Sequence, residues 1–328
     1  MYQLPIGARQ PKEIPILMTA ATPSRPTLDK FTYMRGALCG IAAVSIWAGW
    51  MAVTRIGVTT TLNAWDIAAL RFGLAGLVLL PVVWRKGLAL RALGWPRLIL
   101  LVSGAGAPYA LVAAQGLRFA SAADAGALIP GVMPLFVALL ASMFLGERFT
   151  TQRRDGFVLI FAGIVCIAGA SLMAGNLVRS CGHVLFLGAA LLWACFTIVM
   201  RWAKLEPFHA TALVSVGSLI GYVPAYLLIA GKHLLDAPMA DIAVQALYQG
   251  LLTTVVSLTL FGRAVAILGA SSGAAFGALV PAMAALMAIP LLGELPSRAD
   301  WIGIPVISIG VYLASGGPLP DRLRRIGN

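Results

Sequence analysis

The sequence predicts an all-α integral membrane protein with ten transmembrane helices in two inverted five-helix repeats. Its hydropathy, the distribution of its basic residues and an internal repeat lead to this prediction. Of the 328 residues, 60% are hydrophobic and only 11% are charged, and the mean hydropathy is +0.90. A soluble domain carries about 25% charged residues. This chain has too few to cover a water-facing surface, so lipid must be the solvent for much of it.

Ten apolar runs are long enough to cross a bilayer, which takes about 20 residues in a helix. They must be helical, because an unpaired backbone group is costly in lipid. The boundaries near 112–126 and 258–272 are the least defined, since the turns there are short and uncharged. The predicted spans are 36–54, 65–84, 97–117, 125–145, 156–174, 183–200, 208–230, 241–261, 266–292 and 301–316.

The basic residues indicate the orientation. With the N-terminus in the cytoplasm, 18 of the 24 lie on the cytoplasmic side, five lie on the opposite side, and Arg71 lies inside the second span. This excess follows the positive-inside rule, and an odd number of spans would scramble it. We therefore expect both termini in the cytoplasm, with the protein in the inner membrane of a bacterial cell. The net charge of +12 does not indicate nucleic-acid binding, because the basic residues form no extended face.

The two halves of the sequence are related by an internal repeat. Shifts of 146 and 147 residues superpose tryptophans, arginines, prolines and Gly-Glu pairs. Because each half holds an odd number of spans, the second half must enter the membrane from the opposite side, which makes the repeat inverted. The matched positions are Trp47 with Trp193, Arg55 with Arg201, Pro134 with Pro281, Glu147 with Glu294 and Gly163 with Gly310.

The chain is expected to divide into four segments. A cytoplasmic N-terminal tail covers residues 1–35, and the two repeats cover 36–175 and 182–316. A basic cytoplasmic tail covers 317–328. In an inverted-repeat protein the two halves face each other around a central site.

Several motifs within residues 36–316 carry a family resemblance. They are the segments Pro134…Gly146-Glu147-Arg148 and Pro281…Gly293-Glu294, the lead-in Gly116–Ala122, and Arg71-Phe72 in the second span. With ten spans, this combination resembles the EamA-type family of the drug/metabolite transporter superfamily. The second half departs from the pattern, since Gly217 stands where Arg71 would repeat and Leu295 follows Glu294. The resemblance implies a carrier of small organic metabolites such as amino acids, and leaves the substrate open.

Three large side chains are predicted to line the substrate pathway. Arg71 lies well inside a span, where a charge costs about 2.5–3.5 kcal/mol on insertion scales and usually faces a cavity or a partner. It has no counterpart in the second half, which favours a functional role, although it could also snorkel outward or hold Asp66. Trp47 and Trp193 occupy matched mid-span positions, where their indoles either stack on an organic substrate or pack between helices.

Polar residues in the spans form a second group of candidates. Tyr248, Gln249 and Thr253 lie on one side of a predicted helix, and Tyr109 lies in the third span. Inside a helix bundle such groups need partners, which are either other helices or a watery pathway.

Two matched pairs are candidates for moving parts. Glu147 and Glu294 end equivalent helices on opposite sides of the membrane, as gate residues or as simple helix-end charges. Pro134 and Pro281 can kink their helices, and the kink is either a static bend or a hinge.

The expected function is secondary transport of a small organic metabolite, outward, by alternating access between the repeats. The expected partners are the substrate and the lipid bilayer, with no cofactor, metal or nucleic acid. A membrane-embedded enzyme is the first alternative, but the sequence holds no HExxH, GxSxG or phosphate-loop motif. A receptor or scaffold subunit is the second, and it would need a large loop or tail, whereas the predicted loops are short.

Overall fold

A computed structural model describes residues 29–228 and 231–318, and every regular element in that part of the chain is helical. The predicted N-terminal tail and most of the C-terminal tail lie outside the described residues. The helices are α1 (Lys30–Thr59), α2 (Ala64–Lys86), α3 (Leu90–Ala105), α4 (Ala107–Phe119), α5 (Ala122–Leu128), α6 (Met133–Leu145), α7 (Thr151–Met173), α8 (Leu177–Trp202), α9 (Pro207–Leu228), α10 (Met239–Gln245), a π-helical segment (Ala246–Val256), α11 (Ser257–Leu268), α12 (Ala270–Leu292) and α13 (Arg298–Ala314).

Several of these helices join end to end into longer spans. In the described part of the chain, nine spans are long and apolar enough to cross a membrane. α3 with α4 forms Leu90–Phe119, α5 with α6 forms Ala122–Leu145, and α10 with the π-helical segment and α11 forms Met239–Leu268. α13, with 17 residues, occupies the position of the predicted tenth span.

Short polar motifs begin three of the helices. At the start of α5, the Ser121 hydroxyl accepts from the Asp124 backbone N–H, and the Asp124 carboxylate accepts from the Ser121 N–H. Such a capping box satisfies amides that the first helical turn leaves free. The same box starts α2 at Asn63 and α13 at Ser297.

The matched prolines lie in different backbone surroundings. Pro134 follows a break between α5 and α6, in the first turn of α6. Pro281 lies inside α12, which continues without interruption from Ala270 to Leu292. The pair predicted as hinges therefore marks a broken helix in one half and a continuous helix in the other.

α7 and α13 pack together through two glycines from each helix. Gly163 lies against the Gly303 carbonyl and Ile307, and Gly310 lies against the Gly156 carbonyl and Ile160. The paired positions run in opposite directions along the two helices, so the helices are antiparallel. Small residues allow such close approach, and the packing substitutes for the hydrophobic effect that lipid does not supply.

The helix ends gather into two opposite faces of the bundle. At one, called the Glu294 end, the end of α1 meets the ends of α4 and α12 through hydrogen bonds of Arg55. At the other, called the Glu147 end, the end of α8 meets the residues after α6 through Arg201 and Glu147. There the start of α7 also meets the end of α13, because Arg153 donates to the Ala314 carbonyl at 3.0 Å.

Candidate transport cavity

A cavity of about 650 Å³ lies between helices of the two sequence halves. It extends from Arg71 in α2 to the Glu206–Phe208 turn at the Glu147 end, where α8 gives way to α9. Its walls include Trp47 of α1, Trp193 of α8 and residues of the π-helical segment and α11. A pocket of this size with apolar walls and few polar groups is typical of small-molecule sites.

Arg71 brings the main charge to the deep part of this cavity. It is 7% exposed, and its Nε has no hydrogen-bond partner among the described residues. Within residues 29–228 and 231–318, no carboxylate lies within ion-pair distance of it. The guanidinium carbon lies 5.5 Å from the Trp50 ring centroid, within the range of a cation–π contact. Such contacts stabilise the cation, but they leave its donors free for a ligand.

Asp66, the acidic partner considered from the sequence, is engaged elsewhere. Its carboxylate accepts from the Tyr226 hydroxyl at 2.6 Å and from the His233 backbone N–H at 3.2 Å, and it also caps α2. This carboxylate therefore ties α2 to α9 and to the loop after it. The free donors of Arg71 need another acceptor.

Aromatic rings form a continuous cluster along one wall of the cavity. Trp193 lies 5.2 Å from Tyr109, and Tyr109 stacks on Trp50 at 6.1 Å. On the other side, Trp47 lies 5.0 Å from Phe261. Trp47 and Trp193 line the cavity, whereas Tyr109 is 4% exposed and lies behind Trp193. The two matched tryptophans thus offer apolar surfaces near Arg71.

The π-helical segment contributes hydroxyl groups to the opposite wall. Thr253 lines the cavity, and its buried hydroxyl has no hydrogen-bond partner. Thr254 and Ser257 also line it, but their hydroxyls donate to the carbonyls of Gln249 and Thr253. π-Helical turns occur often at functional sites. Among these three hydroxyls, that of Thr253 is thus the one without a partner in the described part of the chain, and its oxygen is itself inaccessible to solvent.

Tyr248 and Gln249 bind α1 instead of lining the cavity. The Tyr248 hydroxyl donates to the Ile46 carbonyl at 3.1 Å. The Gln249 amide accepts from the Trp50 indole N–H at 2.6 Å and donates to the Thr54 hydroxyl at 2.8 Å. This network fixes the position of the π-helical segment against α1.

Both glutamates considered as gates form ion pairs that cross between the sequence halves. Glu294 pairs with Arg55, and Glu147 pairs with Arg201. Arg148 is the basic residue next to Glu147 in the sequence, but it is not the partner of Glu147 in this ion pair. The observed partner comes from α8 because the end of α6 packs against that helix.

A buried charge cluster at the Glu294 end was missed in the sequence. Arg179 binds Asp124 through two hydrogen bonds of 2.9 and 2.7 Å, and it binds Asp300 at 2.8 Å. Both carboxylates are nearly inaccessible, and His183 Nε2 lies 3.3 Å from Asp124 Oδ2. Arg179 lies in the predicted loop between the fifth and sixth spans, so the sequence did not mark it as a partner of these carboxylates. The cluster joins α5 to α8 and α13.

The family model of EamA-like transporters matches the chain twice, over residues 34–169 and 180–316. This chain belongs to the EamA-like transporter family. Like other members, it is an integral multi-pass membrane protein with a transporter role and a small-molecule substrate. In the part of the chain that the structure describes, no group of His, Cys, Asp or Glu is arranged to hold a metal ion.

Curated relatives carry transporter names. The chain is 29% identical to a "Probable terminal-alkyne amino-acid exporter" of Streptantibioticus cattleyicolor, over 61% of this chain and 66% of that protein, just under two thirds. It is 28% identical to an "Uncharacterized transporter" of Archaeoglobus fulgidus, over 82% of this chain and 93% of that protein. A "Probable amino-acid metabolite efflux pump" of Salmonella typhimurium is 26% identical, over 64% of this chain and 73% of that protein.

The fold also has a solved counterpart. A protein of known crystal structure superposes with a TM-score of 0.54, at 20% sequence identity, over 86% of this chain and 97% of that one. A likeness at this identity shows the fold alone. The arrangement of helices is therefore shared with a protein of quite different sequence.

Proposed function

We propose that this protein exports a small organic metabolite that carries a carboxylate, such as an amino acid, by alternating access between two inverted repeats. The Glu147 end faces the cytoplasm in this proposal, with ten transmembrane spans and both termini inside. The repeats are residues 36–175 and 182–316. The cavity is then open toward the cytoplasm and closed toward the outside, as a carrier is when it collects its cargo.

The observation that carries this proposal is the free guanidinium of Arg71 in an apolar cavity. A buried cation without a carboxylate partner is costly, so its retention calls for an anion that comes and goes. A guanidinium binds a carboxylate through two parallel hydrogen bonds. Thr253 and the faces of Trp47 and Trp193 can hold the rest of the molecule. The amino-acid names of two relatives agree with a substrate of this class.

The helix packing supports the inverted repeat. Under the shift of 147 residues, the contact of Gly163 with Ile307 becomes the contact of Gly310 with Ile160. Each helix thus supplies the glycine in one contact and the isoleucine in the other. A pseudo-two-fold axis in the membrane plane produces such a reciprocal pair of contacts. The axis passes between α7 and α13.

Efflux of labelled amino acids and their analogues from cells or proteoliposomes tests the proposal. Arg71→Lys keeps the charge but cannot form the two parallel hydrogen bonds of a guanidinium. Arg71→Ala loses both the charge and the hydrogen bonds. We expect both variants to lose at least about tenfold in transport, the effect of one charge-assisted hydrogen bond.

The matched control is Arg118→Lys, since Arg118 lies exposed at the end of α4. All variants are compared at equal membrane abundance. Normal transport by both Arg71 variants would refute carboxylate recognition by Arg71. Absence of efflux for the whole panel by the unsubstituted protein would refute the substrate class.

A further inference from the structure

We propose that Arg55–Glu294 and Arg201–Glu147 are the two gates of the transport cycle, each braced by additional backbone hydrogen bonds only when its own end is closed. The inference rests on the proposed alternating-access function. It assigns the gate cations, Arg55 and Arg201, from their positions in the structure.

The two ion pairs are copies of each other under the internal repeat. Arg55 matches Arg201 at a shift of 146 residues, and Glu147 matches Glu294 at a shift of 147. Each pair takes its arginine from one half and its glutamate from the other. An ion pair within one half would hold that half together. A pair between halves must instead change its surroundings when the halves rock relative to each other at that end.

Both gate arginines lie on helices that also carry a cavity tryptophan. Trp47 precedes Arg55 on α1 by eight residues, and Trp193 precedes Arg201 on α8 by the same number. Eight helical residues span two turns, about 12 Å. A ligand that moves either tryptophan therefore moves a rigid helix whose end carries the gate.

The pair at the Glu294 end is built much more tightly in this conformation. Arg55 also donates to the carbonyls of Leu117 and Ala120, and Glu294 also accepts from the Ala122 backbone N–H at 3.1 Å. The Arg55 and Glu294 side chains are 20% and 22% exposed, so water screens their attraction only in part. The ion pair and its three supporting hydrogen bonds thus join α1, the α4–α5 turn and the end of α12.

The pair at the Glu147 end is also formed, but it is more exposed and has fewer supporting hydrogen bonds. Arg201 and Glu147 are 40% and 30% exposed, and in the described residues neither side chain has a further hydrogen bond. An exposed ion pair of this kind contributes little to stability. The difference matches the cavity, which reaches the Glu147 end.

The repeat also specifies how the second gate tightens. Leu117, Ala120 and Ala122 correspond to Ala264, Ile267 and Gly269 at the end of α11. When the Glu147 end closes, Arg201 is then expected to donate to the Ala264 and Ile267 carbonyls. Arg55 is then expected to lose its hydrogen bonds to the Leu117 and Ala120 carbonyls.

Accessibility of the cavity from each end tests this mechanism without any substrate. A cysteine replaces Thr253 in full-length protein whose four native cysteines are changed to serine, and a membrane-impermeant maleimide is applied to membrane vesicles of each orientation. Without a gate substitution, labelling should come mainly from the Glu147 end. Glu294→Gln should raise labelling from the Glu294 end by about tenfold, the population shift expected for one charge-assisted hydrogen bond. Glu147→Gln should lower the labelling from the Glu294 end.

The matched control is Asp241→Asn, which makes the same carboxylate-to-amide change at the same end. Asp241 accepts from the Thr61 hydroxyl at 2.8 Å, so it also bridges the halves, but its partner is neutral. Its labelling should equal that of the protein without a gate substitution.

Unchanged labelling in Glu294→Gln at normal abundance would overturn the proposal. The ion pair would then have only a structural role. If that variant is poorly produced, Glu294→Asp keeps the charge and shortens the reach, and the same labelling criterion applies to it. Failure of all efflux would refute the proposed function, but the labelling pattern would still decide the gates.

Discussion

The packing of α7 against α13 yields a prediction whose size follows from the structure. A Cβ added at Gly163 would lie 2.4 Å from Ile307 Cγ1 and 3.0 Å from the Gly303 carbonyl oxygen. A backbone oxygen on a facing helix cannot rotate aside, so the two helices must separate. Overpacking of this kind costs about 1–3 kcal/mol. Alanine also gains about 1 kcal/mol over glycine through helix propensity, so Gly163→Ala should be destabilising by roughly 0–2 kcal/mol.

Gly169→Ala is the control on the same helix. A Cβ there meets only Val165 of its own turn, at 3.9 Å, so the propensity gain of about 1 kcal/mol stands alone. The two variants should therefore differ by about 1–3 kcal/mol. Gly310→Ala should behave like Gly163→Ala, because its Cβ would lie 2.8 Å from the Gly156 carbonyl oxygen and 2.8 Å from the Ile160 nitrogen.

The measurement is thermal unfolding in one detergent, followed by the loss of monodisperse protein with temperature. Gly163→Ala and Gly310→Ala should both melt below Gly169→Ala. If Gly163→Ala is as stable as Gly169→Ala, the close approach of the two helices is wrong. If Gly163→Ala is destabilised and Gly310→Ala is not, the packing lacks the reciprocity on which the inverted repeat depends.

Three further predictions concern other parts of the bundle. Gln249→Leu leaves the buried Trp50 indole N–H without an acceptor, so it should lower the melting temperature by an amount equivalent to about 1–3 kcal/mol in the same detergent assay. Arg179→Ala leaves two buried carboxylates uncompensated, at a cost of about 3–5 kcal/mol, and should show as low membrane abundance on immunoblots that Arg179→Lys partly restores. Reporter fusions after residue 88 should score cytoplasmic and fusions after residue 175 external, and the reverse pattern would overturn the orientation.

Much of the architecture is readable from the sequence, because lipid limits the possible structures. Apolar runs must be helices, so hydropathy locates the spans, and the uncertain boundaries prove to be the short turns at Ala120–Ser121 and Gly269. The capping box at Asp124 is local chemistry and was equally predictable. The interruptions of the third and fourth spans and the π-helical stretch of the eighth were not predicted. At the interruption of the third span, the Ala107 backbone N–H donates to the Ser218 hydroxyl of α9, a contact that the local sequence does not indicate.

The site was predictable only where one residue was unusual by itself. Arg71 stood out because a charge inside an apolar run is rare, and Trp47 and Trp193 stood out because they repeat. Tyr248 and Gln249 have the same polar character as Thr253, yet they bind α1 whereas Thr253 faces the cavity. That difference depends on which neighbour each side chain meets, which a single sequence does not encode locally.

The second half lacks a counterpart of Arg71 for a reason that the packing makes plain. At Gly217, the matching position, an added Cβ would lie 2.7 Å from Val102 Cγ2 on α3. There is therefore no room for an arginine, and α9 approaches α3 closely instead. In the proposed mechanism, the repeated elements, which are the α7–α13 contact and the two cross-half ion pairs, are those that the rocking motion uses in both directions. The unrepeated arginine agrees with the substrate proposed above, because a binding site on the proposed pseudo-two-fold axis needs to hold one charged group only once.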